Sequence, residues 1–213
     1  PTHGHSDYTG FVWIYEGIEV LADMGRYRYT PDTVSLLQKS ALGHNVLLVD
    51  GFSPLCESMV VNGQWWPKPY ATANLVSWVS GGAVHLSHDG FARATNVLRH
   101  TRIITLGEAG LEVVDSLEGS GDAMIRLRWN FGASFEMFDS AKMVVKGGDS
   151  LVEFTTKGFS ESPSVDSASV QLGDGWISID YGEVEPSVSV DVSGNVKLPK
   201  VISTRFEILK CAE

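Results

Sequence analysis

The sequence is poor in cysteine and in basic residues and has no long apolar run, and each shortage excludes a class of protein. Only two cysteines, Cys56 and Cys211, occur in 213 residues, too far apart in sequence to form a metal-binding motif. One disulfide or two buried thiols would accommodate them, and we favour the thiols. No apolar stretch approaches the roughly 20 residues of a membrane-spanning helix. Acidic residues outnumber basic ones by 26 to 16, and the net charge of -10 argues against nucleic acid as a partner, because sequence-independent binding requires a basic surface.

What the chain does contain is typical of an ordered globular protein. Apolar residues make up 43% and charged residues 20% of the sequence, without low-complexity runs or an internal repeat. A chain of this length can bury the core of one large domain. Because it begins at Pro1 without an initiator methionine, we expect it to be a piece of a longer protein.

Alternation of apolar and polar residues with a period of two recurs along nearly the whole chain and predicts many short antiparallel strands. Two of these runs contain hairpin turn signals, Glu16-Gly17 and Ala109-Gly110. The runs are FVWIYEGIEVLAD (11–23), HNVLLVDG (44–51), LRHTRIITLGEAGLEVVDSL (98–117), AMIRLRWNF (123–131), SLVEFTT (150–156), DGWISIDYG (174–182) and VISTRFEIL (201–209). We therefore predict that residues 1–213 form an all-β domain, an antiparallel β-sandwich of two stacked sheets.

One short helix is predicted at 31–42. Thr30 suits its N-cap, Pro31 suits its first position, and Gly43 suits its end after the run VSLLQKSAL. The stretch SESPSVDSAS (160–169) is rich in serine and is predicted to be a surface loop.

Two histidines near the start of the chain, His3 and His5, are separated by one glycine, so both side chains point to the same side of an extended segment. A predicted hairpin follows and ends at Asp23. In a straight ladder His5 would lie about 16 Å beyond the position opposite Asp23. The residues between His5 and the hairpin, SDYTG, favour turns. We therefore predict that this segment folds back if His5 and Asp23 meet.

Two imidazoles and a carboxylate form a ligand set that suits zinc, with one coordination position left open. The predicted helix returns the chain to His44, which begins another strand. Histidines that are only hydrogen-bonded are more common than ligands, and spacing alone does not decide between the two.

Four motifs occur in an order that resembles one family. HGHSD is followed by the apolar hairpin, then by DMGRY, and then by HNVLLVDG. This order is similar to the start of the C-terminal β-sandwich of the heparinase II/III-like polysaccharide lyases. The later stretch RHTRIITLGEAGLEVVDSLEGSGD resembles the next family segment, a strand with His-x-Arg followed by an apolar strand that carries an aspartate. The resemblance is strong over residues 3–51, moderate to about 131, and rests on strand pattern beyond that.

The resemblance implies roles for particular residues. It assigns His5, Asp23 and His44 as ligands of a zinc ion. It makes His3 a catalytic or substrate-binding residue and Tyr27 an active-site tyrosine.

The resemblance also implies a reaction. Members of the family eliminate across the glycosidic bond beside a uronic acid: a base removes the proton alpha to the carboxylate, the leaving oxygen is protonated, and an unsaturated sugar remains. This chemistry needs the uronate charge neutralised and an acid and a base in reach. Histidine can transfer a proton near neutral pH, and tyrosine can do so if its pKa is lowered. Tyr29 lies two residues after Tyr27, points the same way and competes for its role.

Full-length members of the family carry an N-terminal α/α-toroid that supplies an asparagine, a histidine and a tyrosine, and nothing in this sequence resembles it. The implied partners are therefore that toroid in the same protein and an acidic polysaccharide or oligosaccharide. We expect a periplasmic or secreted location and no turnover of substrate by these residues alone.

Two other interpretations stay open. One is a non-catalytic glycan-binding or structural β-sandwich that kept the motifs for stability. The other is a cupin-like metal-dependent barrel, which would require a further Glu and His at a different spacing. The Asp-x-Gly-x-Tyr and His-Asn motifs favour the lyase.

An aromatic cluster, GQWWPKPY with Trp65, Trp66 and Tyr70, could stack on sugars. Packing of a loop onto the sandwich is the preferred interpretation, because aromatic side chains dominate ordinary burial.

Three cations flank the predicted zinc site and could give it a local positive field: Arg26, Arg28 and Lys39. Three other histidines have no carboxylate at a ligand spacing and are interpreted as structural: His85, His88 and His100.

Overall fold

The computed structural model describes residues 5–30, 33–54, 59–61, 64–66, 71–133, 135–140, 142–160, 164–169 and 176–210. These residues form sixteen strands, one α-helix and one 3-10 helix. The elements are β1 (Trp13–Tyr15), β2 (Ile18–Leu21), α1 (Thr33–Lys39), the 3-10 helix Ala41–Gly43, β3 (Leu47–Val49), β4 (Met59–Val61), β5 (Gln64–Trp66), β6 (Ala73–Trp78), β7 (Ala83–His88), β8 (Val97–Leu106), β9 (Gly110–Asn130), β10 (Phe135–Asp139), β11 (Val144–Gly147), β12 (Ser150–Lys157), β13 (Ser164–Ser169), β14 (Trp176–Asp180), β15 (Glu183–Pro186) and β16 (Val188–Lys210).

Two long strands, β9 and β16, organise the fold. They pair antiparallel from Gly110 opposite Glu207 to Asn130 opposite Ser189. The first half of β9 pairs with β8 and its second half with β3, whereas the first part of β16 pairs with β13 and its last part with β12. Each of the two strands therefore has different neighbours along its two parts, and the predicted all-β sandwich of antiparallel strands is confirmed.

The core lies between the layers. Alternate residues of β9 face it, as the period-two pattern predicts: Leu111, Val113, Leu117, Ile125, Leu127 and Trp129 are all buried. The Trp129 ring packs edge-on against Phe206 of β16, with ring centroids 5.1 Å apart. One position on this face breaks the apolar pattern, because Asp115 is also fully buried.

The two predicted hairpin turns are present, one of them displaced. At the first turn Tyr15 pairs with Ile18, and Glu16 and Gly17 both have positive φ (49° and 84°), as a type I′ turn requires. At the second turn Leu106 pairs with Leu111. The turn is therefore centred one residue earlier than predicted, and the glycine already belongs to β9.

The helix and the serine-rich segment differ from prediction. The described helix ends at Lys39, and Ser40 begins a 3-10 turn by accepting a hydrogen bond from the Leu42 N–H. The prediction of a surface loop at 160–169 is wrong for Ser164–Ser169, which forms β13 and pairs residue by residue with the start of β16. This segment is a strand because it pairs with the start of β16, and a serine-rich composition does not predict such pairing.

Candidate functional site

The segment after His5 folds back, as predicted. The Gly10 N–H donates to the Asp7 carbonyl at 2.7 Å, and Thr9 adopts the left-handed conformation with φ of 65°. The Ser6 N–H donates to the carbonyl of Lys39 at 2.9 Å, which anchors the segment on the end of α1. His5 thereby lies beside His44, with ring centroids 5.2 Å apart.

Asp23 lies just beyond β2, where backbone hydrogen bonds fix the chain on both sides. The Ala22 N–H donates to the carbonyl of Asn130, and the Met24 N–H donates to the carbonyl of Gly43. One carboxylate oxygen of Asp23 accepts from the Gly25 N–H at 2.9 Å, and the other lies 2.5 Å from Nδ1 of His44. Burial alone would raise the pKa of Asp23, but the hydrogen bond and the electrostatic interaction with His44 hold it below its ordinary value.

His44 is buried, 1% exposed, at the end of the 3-10 helix. A carboxylate only accepts, so Nδ1 of His44 carries the proton shared with Asp23, and Nε2 is the nitrogen that presents a lone pair when the ring is neutral. That Nε2 atom is buried and has no hydrogen-bond partner among the described residues. A buried polar atom without a partner is uncommon and calls for an explanation, such as an ion.

His5 faces a cation. Its Nε2 lies 2.6 Å from Nη2 of Arg26, and a guanidinium only donates, so this imidazole nitrogen is unprotonated. Burial, followed by electrostatic interaction with His44 and Arg26, lowers the pKa of His5. The imidazole is therefore held neutral, the form in which histidine binds metal.

The three predicted ligands, His5, Asp23 and His44, are thus neighbours, and we call them the His–Asp cluster. No group of three or more His, Cys, Asp or Glu side chains within the described ranges is already arranged around a common metal position. The contacts explain this, because Asp23 and His44 bond directly to one another and Arg26 bonds to the nitrogen of His5. His3, the predicted catalytic residue, lies outside the described residues.

Tyr27 follows the His–Asp cluster on the loop between β2 and α1. Its backbone N–H donates to Oε1 of Gln38 at 3.0 Å, and its carbonyl accepts from the Gly182 N–H at 2.8 Å. The Arg28 guanidinium lies 5.0 Å from the centre of the Tyr27 ring. The loop is therefore fixed between α1 and the hairpin formed by β14 and β15.

Two of the predicted cations, Arg26 and Arg28, lie on this loop, and the third, Lys39, is the last residue of α1. Arg26 contacts His5 directly, and burial together with the charge of Arg26 lowers the pKa of Lys39. A local positive field of this kind attracts anions although the whole chain is acidic.

Asn45, next to His44, holds the backbone around the cluster, and the sequence motifs do not reveal this role. Its Nδ2 donates to the carbonyls of Phe11 and Ala22 at 2.9 and 2.8 Å. Its Oδ1 accepts from the backbone N–H of Asn130 at 2.7 Å. One side chain therefore ties the hairpin of β1 and β2 to β9.

A buried network supports the cluster from the other side. Arg102 donates through Nη1 to the carbonyls of Thr9 and Asn45, at 3.2 and 2.7 Å, and through Nε to Asp115 at 2.7 Å. The His-x-Arg motif of β8 and the aspartate on the apolar face of β9 were the sequence signals for it, but only strand pairing joins them.

Two of the histidines interpreted as structural extend this network. The Gly90 N–H donates to Nδ1 of His88 at 3.0 Å, so Nε2 of His88 donates to Nδ1 of His100 at 2.9 Å. Nε2 of His100 then donates to Asp115 at 2.7 Å. Both rings are neutral in this arrangement. Burial, followed by electrostatic interaction with His100 and Arg102, lowers the pKa of His88 to about 2.

The aromatic residues and cysteines singled out in the sequence lie apart from the cluster or outside the described residues. Trp65 and Trp66 belong to β5, which pairs only with β4 among the described strands. Tyr70, Cys56 and Cys211 lie outside the described residues. No described helix is long and apolar enough to cross a membrane.

The fold and the His–Asp cluster define a β-sandwich of antiparallel strands with a histidine-rich loop region, and sequence comparison places it in a family. The family model described as "Heparinase II/III-like, C-terminal" matches residues 1–205. The chain belongs to this family, which confirms the resemblance and extends it beyond residue 131. No curated protein matches the sequence.

Solved structures share the fold. "Crystal structure of heparan sulfate lyase HepC from Pedobacter heparinus" superposes with a TM-score of 0.68 at 14% identity, over 99% of this chain and 32% of that one. "Heparinase III-BT4657 gene product" superposes with a TM-score of 0.71 at 16% identity, over 98% of this chain and 31% of that one. The chain therefore spans about a third of the length of these structures.

Proposed function

We propose that this chain is the β-sandwich part of a zinc-containing polysaccharide lyase that cleaves uronic-acid-containing polysaccharide by β-elimination. The observation that carries the proposal is the buried Nε2 of His44, which has no hydrogen-bond partner among the described residues and belongs to a ring in contact with His5 and Asp23. Membership of the heparinase II/III-like C-terminal family supports the reaction class. The similar structure named a heparan sulfate lyase supports the substrate class.

The donor set fits zinc. Two imidazoles and a carboxylate with one position left open are ligands that zinc accepts. The lowered pKa of Asp23 keeps it ionised and the lowered pKa of His5 keeps it neutral, so neither needs to lose a proton at neutral pH. A zinc ion held by His5, Asp23 and His44 would supply positive charge close to a bound carboxylate.

The hydrogen bond from Arg26 to His5 must break before His5 can act as a metal ligand. The Nε2 lone pair of His5 accepts from Arg26, and one lone pair cannot serve both partners. On metal binding the guanidinium would be released while staying on the same loop. Arg26 would then be available to pair with the carboxylate of a uronic acid, since arginine suits bidentate carboxylate recognition.

The elimination needs an acid and a base beside the neutralised carboxylate. A base takes the proton alpha to the carboxylate, the bond to the leaving oxygen breaks as the double bond forms, and that oxygen takes up a proton. We assign His3 and Tyr27 to substrate contact and proton transfer at this centre. The remaining groups would come from the N-terminal α/α-toroid of the same protein, in a periplasmic or secreted setting.

Metal analysis combined with an elimination assay tests the proposal. Purified chain should contain about one zinc, as expected of a three-ligand site. The 213 residues alone should release no unsaturated uronate from heparan sulfate, alginate or hyaluronan, whereas a protein that also carries the toroid should release it from at least one of them. A protein that retains the toroid, contains no zinc and cleaves none of these polymers would overturn the proposal.

A further inference from the structure

We infer that Tyr29 and Tyr181 form a sugar-stacking subsite next to the His–Asp cluster. The two rings stack with centroids 6.2 Å apart and planes at 29°. They are 62% and 64% exposed, although large aromatic side chains are normally buried. We call them the tyrosine pair.

Arg26 joins the pair to the cluster. Its guanidinium carbon lies 4.7 Å from the centre of the Tyr29 ring, and its Nη2 lies 2.6 Å from His5. One side chain therefore touches both the aromatic surface and a predicted metal ligand. The guanidinium lies over the Tyr29 ring, so the aromatic surface that stays exposed on the pair adjoins a cation. Such a surface suits a sugar that carries a carboxylate, because an aromatic ring packs on the apolar face of the sugar and the cation pairs with the acid.

The hairpin that carries Tyr181 is fixed on the site loop before any ligand binds. The Ser178 N–H donates to the carbonyl of Met24 at 2.9 Å, and the Gly182 N–H donates to the carbonyl of Tyr27 at 2.8 Å. Ile177 anchors the same hairpin in the interior with 6% exposure. A surface held in its binding geometry loses less entropy when a ligand arrives, which favours recognition.

The charges around the turn between β14 and β15 restrict where a bound sugar can carry an acidic group. Asp180 bonds through its carboxylate to the N–H of Tyr181 at 2.6 Å and so faces its own turn. Glu183 follows the turn as the first residue of β15. Anionic substituents would be repelled near Glu183 and attracted near Arg26. The subsite therefore takes one sugar ring whose acidic group lies toward the His–Asp cluster.

The nature of the ligand rests on the proposed function, because the uronic acid is taken from it. The stacking role rests only on the two rings and their exposure. A neutral oligosaccharide in the test separates these two parts.

Binding of oligosaccharides to the 213-residue chain tests the subsite by calorimetry. The probes are hexasaccharides from heparan sulfate and from alginate, with cellohexaose as the neutral probe. Tyr29→Ala and Tyr181→Ala should each weaken binding of an acidic hexasaccharide about 2- to 10-fold, the range expected for one aromatic contact. Tyr181→Phe, which keeps the ring, should bind within twofold of the unchanged chain.

Two exposed apolar residues outside the pair provide matched controls. Ile179 is 51% exposed on the same hairpin, and Trp78 is 67% exposed on the edge strand β6. Ile179→Ala and Trp78→Ala should leave the dissociation constant unchanged. Amide chemical shifts of the turn at 180–183 in the unchanged chain should move on titration, which requires no variant.

Each outcome bears on one part of the inference. Unchanged binding by both tyrosine-to-alanine variants would overturn the subsite, and so would the absence of binding to any probe. In either case the zinc content of the chain remains a separate test of the proposed function. Tyrosine-dependent binding of cellohexaose as tight as that of the acidic probes would retain the subsite and overturn the uronic acid assignment. If a chain without zinc binds the acidic hexasaccharides in a way that depends on the tyrosines, the subsite is retained and the proposed zinc site is overturned.

Discussion

Arg102 and Asp115 form a buried bidentate ion pair, in which Nε and Nη2 of the arginine donate to the two carboxylate oxygens at 2.7 and 3.0 Å. The remaining nitrogen, Nη1, donates to the carbonyls of Thr9 and Asn45. Thr9 belongs to the turn that brings His5 back, and Asn45 follows His44. An ion pair between two strands of the sheet therefore holds the backbone on both sides of the His–Asp cluster.

Removing one partner of this pair should be costly. Arg102→Leu leaves the charge of Asp115 buried with only the hydrogen bond from His100, and we expect a loss of about 3–5 kcal/mol in the free energy of unfolding. Urea denaturation at neutral pH measures it. As the control, Arg205→Leu removes the exposed ion pair with Glu207, whose side chains are 67% and 46% exposed, and should cost less than about 1 kcal/mol. Equal losses in the two variants would contradict the role assigned to Arg102.

Stability should fall in mild acid because of the neutral histidines. Burial, then electrostatic interaction with His100 and Arg102, lowers the pKa of His88 to about 2, whereas in the unfolded chain it is about 6.5. Between these values the unfolded state binds more protons, so this contribution is fully present above about pH 6.5 and declines as pH falls, by about 1.4 kcal/mol per pH unit. Burial also lowers the pKa of His100, which acts in the same direction.

The variant His88→Gln isolates this effect. Glutamine can accept from the Gly90 N–H and donate to His100 without titrating. Urea unfolding between pH 7.5 and 5.0 should show a shallower decline for the variant, by about 1.4 kcal/mol per pH unit below pH 6.5. Parallel profiles for the variant and the unchanged chain would show that His88 is not the group responsible.

Zinc binding should depend on the three residues of the His–Asp cluster. His5→Ala, Asp23→Ala and His44→Ala should each lose the metal and the stability that comes with it, about 2.7 kcal/mol at a free zinc concentration 100 times the Kd. His3→Ala should keep the metal, and so should His85→Ala, which removes a histidine of β7. Metal content and melting temperature measure both quantities. Loss of zinc from His3→Ala with retention in His44→Ala would reverse the assignment.

Gly25 should tolerate a side chain less well than Gly17, another glycine with a positive φ. A Cβ at Gly25 (φ 67°) would lie 2.7 Å from the carbonyl oxygen of Ser178, whereas at Gly17 (φ 84°) it would meet nothing within 4 Å. Gly17→Ala should therefore cost about 1 kcal/mol of backbone strain, and Gly25→Ala should cost more because it also pushes the β14–β15 hairpin away. Chemical denaturation compares the two. If Gly25→Ala is no worse than Gly17→Ala, the hairpin is not held against the loop that follows Asp23.

Residues adjacent in the chain were sufficient to predict the first hairpin, the strands β3, β8, β12 and β14, and parts of β9 and β16, whereas β4–β7, β10, β11, β13 and β15 were not predicted. The period-two alternation of β9 and β16 follows from local geometry, because successive side chains of a strand point to opposite faces. Glu16-Gly17 predicts its turn because few residue pairs adopt two positive φ angles in succession. The motif order HGHSD, DMGRY and HNVLLVDG identified the family and nominated His5, Asp23 and His44, although it did not show how they meet.

The contacts between distant residues were decided by the tertiary structure alone. The pairing of β13 with β16 overrides a serine-rich composition that indicates a loop. Asp115 meets Arg102 because the register of β8 on β9 places them opposite each other, and Tyr181 meets Tyr29 because a hairpin near the end of the chain packs on a loop near its start. Sequence periodicity specifies which face of a strand is buried, but it does not specify which strand lies opposite. That choice depends on the packing of the whole sheet, and it determines which side chains share a site.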